Sequence, residues 1–196
     1  MNGRDCVKHD LKIPNEIHGK KIVIFDIDNT LLDVSERYVT CVREAGLDLD
    51  KSLYKEPYWK RQKFWRIFLS DKYLHLDKPD EETINLVRRL YDEGYGIVLL
   101  TGRPEDMRRY TVEQMKRFGV PYNLLIMRPP GNRDPDMRYK PCVIRRLIDE
   151  GLEIVEYHED DPATIETVRR IYPWIKVVQH SLYRNKLIFH RDKDEG

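Results

Sequence analysis

Short apolar runs alternate with longer amphipathic stretches along most of the chain. Residues 21–25, KIVIF, are apolar behind a lysine and rich in β-branched side chains, and they predict a buried strand. The runs at 96–100, 124–127, 154–157 and 175–178 predict further strands. Between them, residues 81–91, 104–118, 141–150 and 162–171 read as helices, with Gly94, Gly119 and Gly151 as stops after the first three. Pro104 sits as a first-turn proline, with Glu105 and Asp106 beside the helix N-terminus. Two more helices are expected over 34–45, stopped by Gly46, and over 57–69, where Tyr58, Trp59, Phe64, Trp65 and Phe68 crowd together. Residues 1–19 are polar and patternless, and 128–139 form a loop rich in proline, glycine and charge. The tail, 181–196, is mostly charged, with one apolar patch at 187–189 that would add an edge strand.

Strands alternating with helices imply a parallel sheet covered on both faces. In such sheets the site lies beyond the carboxyl ends of the strands. The chemically capable residues follow that rule. Asp26 and Asp28 follow the first strand, Thr101 and Arg103 the second, Arg128 the third, and Glu159, Asp160 and Asp161 the fourth.

Composition narrows the partners. The chain has 196 residues, enough for one sizeable core and a small appended unit. Lys plus Arg is 35 against 34 for Asp plus Glu, so the net charge is +1, which argues against a strongly electrostatic nucleic-acid binder. Cys6, Cys41 and Cys142 are scattered and lack metal-site spacing, so neither a disulfide framework nor a zinc site is expected. With no signal-peptide pattern and no apolar run of membrane-spanning length, a soluble protein of the reducing cytoplasm is expected, with no membrane partner.

The stretch Asp26-Ile27-Asp28-Asn29-Thr30 supports three jobs. One carboxylate can attack phosphorus and carry an aspartyl-phosphate. A second, two residues on, can act as general acid and then general base. A Mg²⁺ ion can offset the repulsion between carboxylate and phosphate, and the acidic run Glu159-Asp160-Asp161 supplies hard oxygen ligands for it. Thr101 and Lys140 offer a hydroxyl and a compact cation to phosphoryl oxygens.

FDIDNTLLD, LLTGR, a lysine ahead of the fourth strand and HEDDP after it resemble, in order and spacing, the four motifs of the haloacid dehalogenase-like (HAD) superfamily. The resemblance implies a Rossmann-like three-layer α/β/α sandwich with strand order 3-2-1-4-5. It implies Asp26 as nucleophile, Asp28 as acid/base, Thr101 as phosphate-binding hydroxyl and Lys140 as the stabilising lysine. It assigns the metal to Asp26, the backbone carbonyl of Asp28, Asp160 and, as ligand or support, Asp161, and it places Asn29, Gly102, Arg103 and Arg128 toward the substrate. An aspartate at the acid/base position points to phosphoester chemistry, because an alcohol leaving group needs a proton. The activity implied is Mg²⁺-dependent phosphomonoester hydrolysis, with a phosphotransferase or mutase, and a non-catalytic module that binds a phosphorylated ligand, as alternatives.

Residues 124–140 also resemble the phosphatase domain of polynucleotide kinase-phosphatases, through Met127-Arg128, Gly131 and Asp136 to Lys140, although Asn132 and Arg133-Asp134 depart from that pattern. That likeness admits a nucleotide or a polynucleotide 3′-phosphate as substrate beside a small phosphometabolite. Residues 34–79 stand at the superfamily's cap position, leaving 1–33 and 80–196 as the phosphatase core. Several side chains keep a second reading: Asp161 as a helix cap before Pro162, Arg103 and Arg128 as structural ion-pair partners, His158 as a packing group, and Trp59, Phe64 and Trp65 as core.

Overall fold

The computed structural model describes residues 11–180. Its strands are β1 (Lys21–Phe25), β2 (Leu32–Asp33), β3 (Lys78–Pro79), β4 (Gly96–Pro104), β5 (Leu124–Arg128), β6 (Glu153–Glu159) and β7 (Lys176–Gln179). Its α-helices are α1 (Ser35–Ala45), α2 (Tyr58–Phe68), α3 (Glu81–Asp92), α4 (Arg108–Arg117), α5 (Asp136–Asp149) and α6 (Pro162–Ile171). The residue 1–10 lead-in and the tail patch at 187–189 lie outside the described residues.

Five strands form one parallel sheet in the order β5-β4-β1-β6-β7. Counting only these five, that is the expected 3-2-1-4-5 with the first strand central. Successive side chains of a strand point to opposite faces, and β1 splits accordingly. Val23 and Phe25 join one apolar cluster with Ile84 and Val87 of α3 and Met115 of α4. Ile22 and Ile24 join another with Val143, Ile144 and Leu147 of α5 and Val168 of α6. The result is a three-layer sandwich with β1 buried from both sides.

The apolar side chains of residues 34–79 do not form a separate core. Cys41 and Val42 of α1 and Phe64, Ile67 and Phe68 of α2 belong to the same cluster as Val23 and Phe25. At the base of this segment β2 and β3 pair antiparallel, Leu32 with Pro79 and Asp33 with Lys78, so the insertion leaves and returns at one point. The sequence carries no readable signal for so short a ribbon.

Two boundaries differ from expectation. The strand β4 continues through Pro104, and a short 3-10 turn (Glu105–Met107) intervenes before α4, so Pro104 precedes the helix by four residues. Helix α5 starts at Asp136 rather than at Pro141, which lies inside it. Lys140 therefore stands on a helix instead of in a loop. Of the described cysteines, Cys41 is a buried free thiol. No helix among the described residues is long and apolar enough to cross a membrane.

Candidate active site

Because β4, β1 and β6 are neighbours, the residues that follow them meet at one end of the sheet. The Asp26 amide donates to the carbonyl of His158 at 3.0 Å, extending the β1–β6 pairing by one residue. The chain then turns sharply. Asn29 has φ 60°, a left-handed conformation that asparagine tolerates better than most side chains. Its amide reaches the Leu32 carbonyl at 2.7 Å, and the amides of Leu31 and Leu32 converge on the Ile27 carbonyl at 2.9 and 3.0 Å. Backbone bonds thus fix the turn that carries both aspartates.

Asp26 lies in a buried acidic centre. Lys140 Nζ is 2.9 Å from Asp26 and 2.7 Å from Glu159, and Tyr157 donates its hydroxyl to the same Glu159 oxygen. Carboxylate oxygens of Asp26, Glu159 and Asp160 lie within 4.8 Å of one another. Burial raises the Asp26 pKa well above the ordinary aspartate value; Lys140 opposes the shift, and Glu159, Asp160 and Asp28 add to it. Burial alone would lower the Lys140 pKa, but Asp26 and Glu159 outweigh it and hold the ammonium charged. One cation facing three carboxylates leaves a surplus of negative charge, and the donors are all hard oxygens. Both features fit a divalent cation of the Mg²⁺ type.

Asp28 has a different environment. Arg103 approaches both of its oxygens through Nε, at 3.1 and 3.2 Å, and Oδ1 through Nη2 at 2.6 Å. Arg37, from α1, reaches the same Oδ1 at 2.5 Å. Behind them Asp77 lies 2.9 Å from Arg37 Nε and 3.2 Å from Arg103 Nη2. Gln114 completes the group, donating to Asp77 at 3.0 Å and accepting from Arg103 at 2.8 Å. The side chains of Arg37, Arg103 and Asp77 are fully buried, and that of Asp28 is 19% exposed. Burial would raise the Asp28 pKa, but Arg103 and Arg37 overcome it and hold the carboxyl well below the ordinary range. Burial pushes Asp77 up to about 6 against the pull of Arg37.

The remaining expected residues take these places. Thr101 is buried, and its Oγ1 accepts the Arg103 amide at 3.2 Å. Thr101, Gly102 and Arg103 occupy an irregular stretch of β4: Leu100 pairs with Ile126 and Pro104 with Arg128, so these three face one residue of β5. A Cβ on Gly102 would fall 2.8 Å from both oxygens of Asp136, so glycine lets the first turn of α5 approach. Arg128 turns inward. It donates to Gly102 O at 3.2 Å, to Asn132 at 2.8 Å and to Asp136, and it stacks 4.5 Å from the Tyr139 ring centroid. Asp161 caps α6, accepting from the Thr164 amide at 2.9 Å and hydroxyl at 2.7 Å, and is outside the converging carboxylate group. His158 stacks on Phe25 at 4.1 Å and meets His180 at 2.7 Å.

Sequence reading does not single out Arg37 or Asp77 as acting on the site's charges; it includes Glu159 in the acidic run but not its pairing with Lys140. Arg37 leaves a trace: it falls on the buried stripe of α1 with Cys41 and Ala45, where a cation demands a partner. Asp77 lies in a patternless segment and leaves none.

A parallel sheet that gathers Asp26, Lys140 and a cluster of carboxylates at its strand ends, in a chain matched by an acid phosphatase family profile, gives a phosphoric monoester hydrolase. The chain belongs to the HAD superfamily, subfamily IIIB (acid phosphatase), whose family profile matches residues 6–167. No curated protein sequence matches the chain significantly. Among solved structures it is similar to a chain of a Pnkp1/Rnl/Hen1 complex, at 18% identity and TM-score 0.56 over 91% of this chain and 50% of that one. It thus spans about half the length of the Pnkp1 complex chain it matches. A haloacid dehalogenase-like family hydrolase from Streptococcus pneumoniae shares 14% identity at TM-score 0.60, covering 82% of this chain and 84% of that one. A predicted phosphatase from Clostridium acetobutylicum shares 12% at TM-score 0.61, with 82% and 84% covered.

Proposed function

We propose that the chain hydrolyses a phosphomonoester in two steps through a phosphorylated Asp26, with Mg²⁺ as cofactor. The observation that carries this reading is the position of Asp26: it ends the central strand, 2.9 Å from Lys140 and inside the converging carboxylates. The carboxylates of Asp26 and Asp160 and the backbone carbonyl of Asp28 would hold the metal, with Glu159 behind them tied to Lys140. When bound, the cation supplies charge that offsets repulsion between the aspartate and the incoming phosphate.

In the first step an Asp26 oxygen forms a bond to phosphorus while the ester P–O bond breaks. Asp28 gives its proton to the leaving oxygen. In the second step Asp28 takes a proton from water, the water oxygen bonds to phosphorus, and the bond to Asp26 breaks. Arg37 and Arg103 favour the ionised Asp28 needed in that second step. For the first, the two negative charges of a phosphomonoester placed beside Asp28 raise its proton affinity. Thr101 and Lys140 serve the phosphoryl oxygens.

Residues 34–79 form the cap of this enzyme and residues 1–33 and 80–196 its core. Arg37 makes the cap a contributor to catalysis. We take the substrate to be a nucleotide or a polynucleotide bearing a terminal phosphate, a reading supported by the similarity to a chain of the Pnkp1/Rnl/Hen1 RNA repair complex.

Phosphate release tests this directly. The panel is p-nitrophenyl phosphate, nucleoside 3′- and 5′-monophosphates, phosphorylated oligonucleotides and sugar phosphates, each with and without Mg²⁺. Metal-dependent release is expected, and Asp26→Asn should lower it by at least about 10³-fold. Wild-type turnover in that variant sinks the mechanism.

A further inference from the structure

Helix α2 buries Phe64, Ile67 and Phe68. Its outward face is aromatic: Tyr58 is 68% exposed, Trp59 64% and Trp65 41%. On an α-helix, Tyr58 and Trp65 share one outward stripe, and Trp59 and Arg66 a second beside it. Seven residues separate the members of each stripe, about 10 Å along the axis. Trp65 is braced edge-on by Phe64 and Phe68, with centroids 5.0 and 6.0 Å away. The Arg61 guanidinium lies 5.9 Å from the Tyr58 ring centroid.

The segment that carries these rings is one-sided in charge. Residues 57–70 contain Lys60, Arg61, Lys63 and Arg66 and no carboxylate, in a chain of net charge +1. Lys60 and Lys63 bind the Gly46 and Glu44 carbonyls at the end of α1, each at 2.6 Å, which seats the helix. Glu56, just before the segment, is buried and accepts the Asp48 amide.

The C-terminal end of the same helix touches the active-site group from its buried side. The Phe68 carbonyl accepts from Arg37 Nη1 at 3.3 Å, and the Phe68 ring lies 4.3 Å beneath the same guanidinium. That guanidinium touches Asp28. From this point α2 leads outward through Trp65 to Tyr58 and Trp59. Aromatic side chains interleaved with cations suit a ligand with successive flat π-faces and a negative backbone. A 10 Å stripe matches about three nucleotide steps of 3.4 Å. A lipid surface would instead call for a broad apolar face, whereas Gln62 and Arg66 occupy part of this one.

We propose that the outward face of α2, formed by Tyr58, Trp59, Trp65 and Arg66 with the half-buried Arg61 at its flank, docks a single-stranded polynucleotide whose terminal phosphate lies at Asp26. The proposal rests on the phosphatase reading above and names the substrate class for the same site.

The test compares wild type with a Trp59→Ala/Trp65→Ala double variant and a Trp59→Phe/Trp65→Phe double variant. The substrates are ten-residue oligothymidylates carrying a 3′- or a 5′-phosphate, with p-nitrophenyl phosphate as the short control. For an oligonucleotide that the wild type cleaves, the alanine variant should raise KM at least about 10-fold, with kcat and p-nitrophenyl phosphate turnover within twofold. The phenylalanine variant should recover most of the affinity. Binding of oligonucleotide should quench wild-type tryptophan fluorescence and weaken with salt. Equal loss on both substrates, or an unchanged oligonucleotide KM, overturns the proposal. A wild type that cleaves p-nitrophenyl phosphate but neither binds nor cleaves oligonucleotide overturns the surface and leaves the phosphatase reading standing. Oligonucleotide binding through α2 with no hydrolysis of any substrate supports the surface and sinks the phosphatase reading. Preference for phosphatidylcholine/phosphatidylserine vesicles over oligonucleotide, or dimerisation lost in the alanine variant, also overturns it.

Discussion

Asp26 and Asp28 stand two residues apart in opposite electrostatic surroundings. Asp26, buried among carboxylates with one lysine, has raised proton affinity, whereas Asp28, between two guanidinium groups, is held ionised. Asp77 shares the charge of those same two arginines. Replacing it with the isosteric asparagine removes a competitor for Arg37 and Arg103 and leaves both to Asp28, which then carries the proton needed by the leaving oxygen in a smaller fraction of molecules. Asp77→Asn should therefore lower turnover of an alkyl phosphate by about 10-fold or more, roughly one pKa unit of coupling. Turnover of p-nitrophenyl phosphate, whose leaving group needs no proton, should change much less. Steady-state rates on the two substrates check this, and an equal fall on both would reduce Asp77 to a structural role.

At the scale of elements, the strands and most helices are legible because their signals are local. KIVIF is all but one apolar, and each of α1, α3, α4 and α5 is followed by a glycine near its end. The failures have local causes too. Pro141 reads as a helix start, yet α5 begins five residues earlier, where Arg128 binds Asp136 and Gly102 allows the approach. Asp26, Asp28, Thr101 and the acidic run are legible because they follow strand ends, whereas Lys140, which stands on α5, is legible only through the motif resemblance. The arginine–aspartate group around Asp28 is not, since its members come from α1, β4 and the segment before β3 and meet only through tertiary packing. The contact between Gly102 and α5 gives a prediction. Gly102→Ala pushes on Asp136 and, through it, on Lys140 one turn later. Activity should fall about 10-fold, and stability by roughly 1–3 kcal/mol as for other overpacked sites. Urea denaturation alongside phosphate release measures both, and an unperturbed variant would show that α5 yields freely.

For the whole molecule, one route by which pH acts on stability is the pair His158 and His180, beside the active-site end of the sheet. Burial, with His180 and Lys176 adding to it, lowers the His158 pKa from the ordinary 6.5 to about 3, and burial lowers that of His180. In the unfolded chain His158 takes up a proton near pH 6.5 while the folded protein keeps it neutral. The stability contributed by the neutral ring is complete above pH 6.5 and is lost as pH falls toward 3, by up to ~1.4 kcal/mol per pH unit. His158→Phe keeps an aromatic ring against Phe25 and removes the titration, so its unfolding free energy should fall less steeply between pH 6.5 and 4. Urea midpoints at those values decide it, and parallel pH profiles for variant and wild type would remove His158 as the cause.

The paired ends of the insertion have a consequence for inheritance. Because β2 and β3 bring residues 33 and 78 together, the intervening segment can change length at small entropic cost, about 0.6 kcal/mol per doubling of a flexible loop. Lineages of this architecture can therefore vary that segment in length, provided its replacement still fills the core it shares with Val23 and Phe25. Arg37, however, travels with that segment while Asp28 and Arg103 stay behind. A transplanted segment that lacks an equivalent arginine would leave a folded protein with a weakened centre. Drift in this part of the chain is open in length and closed at one residue.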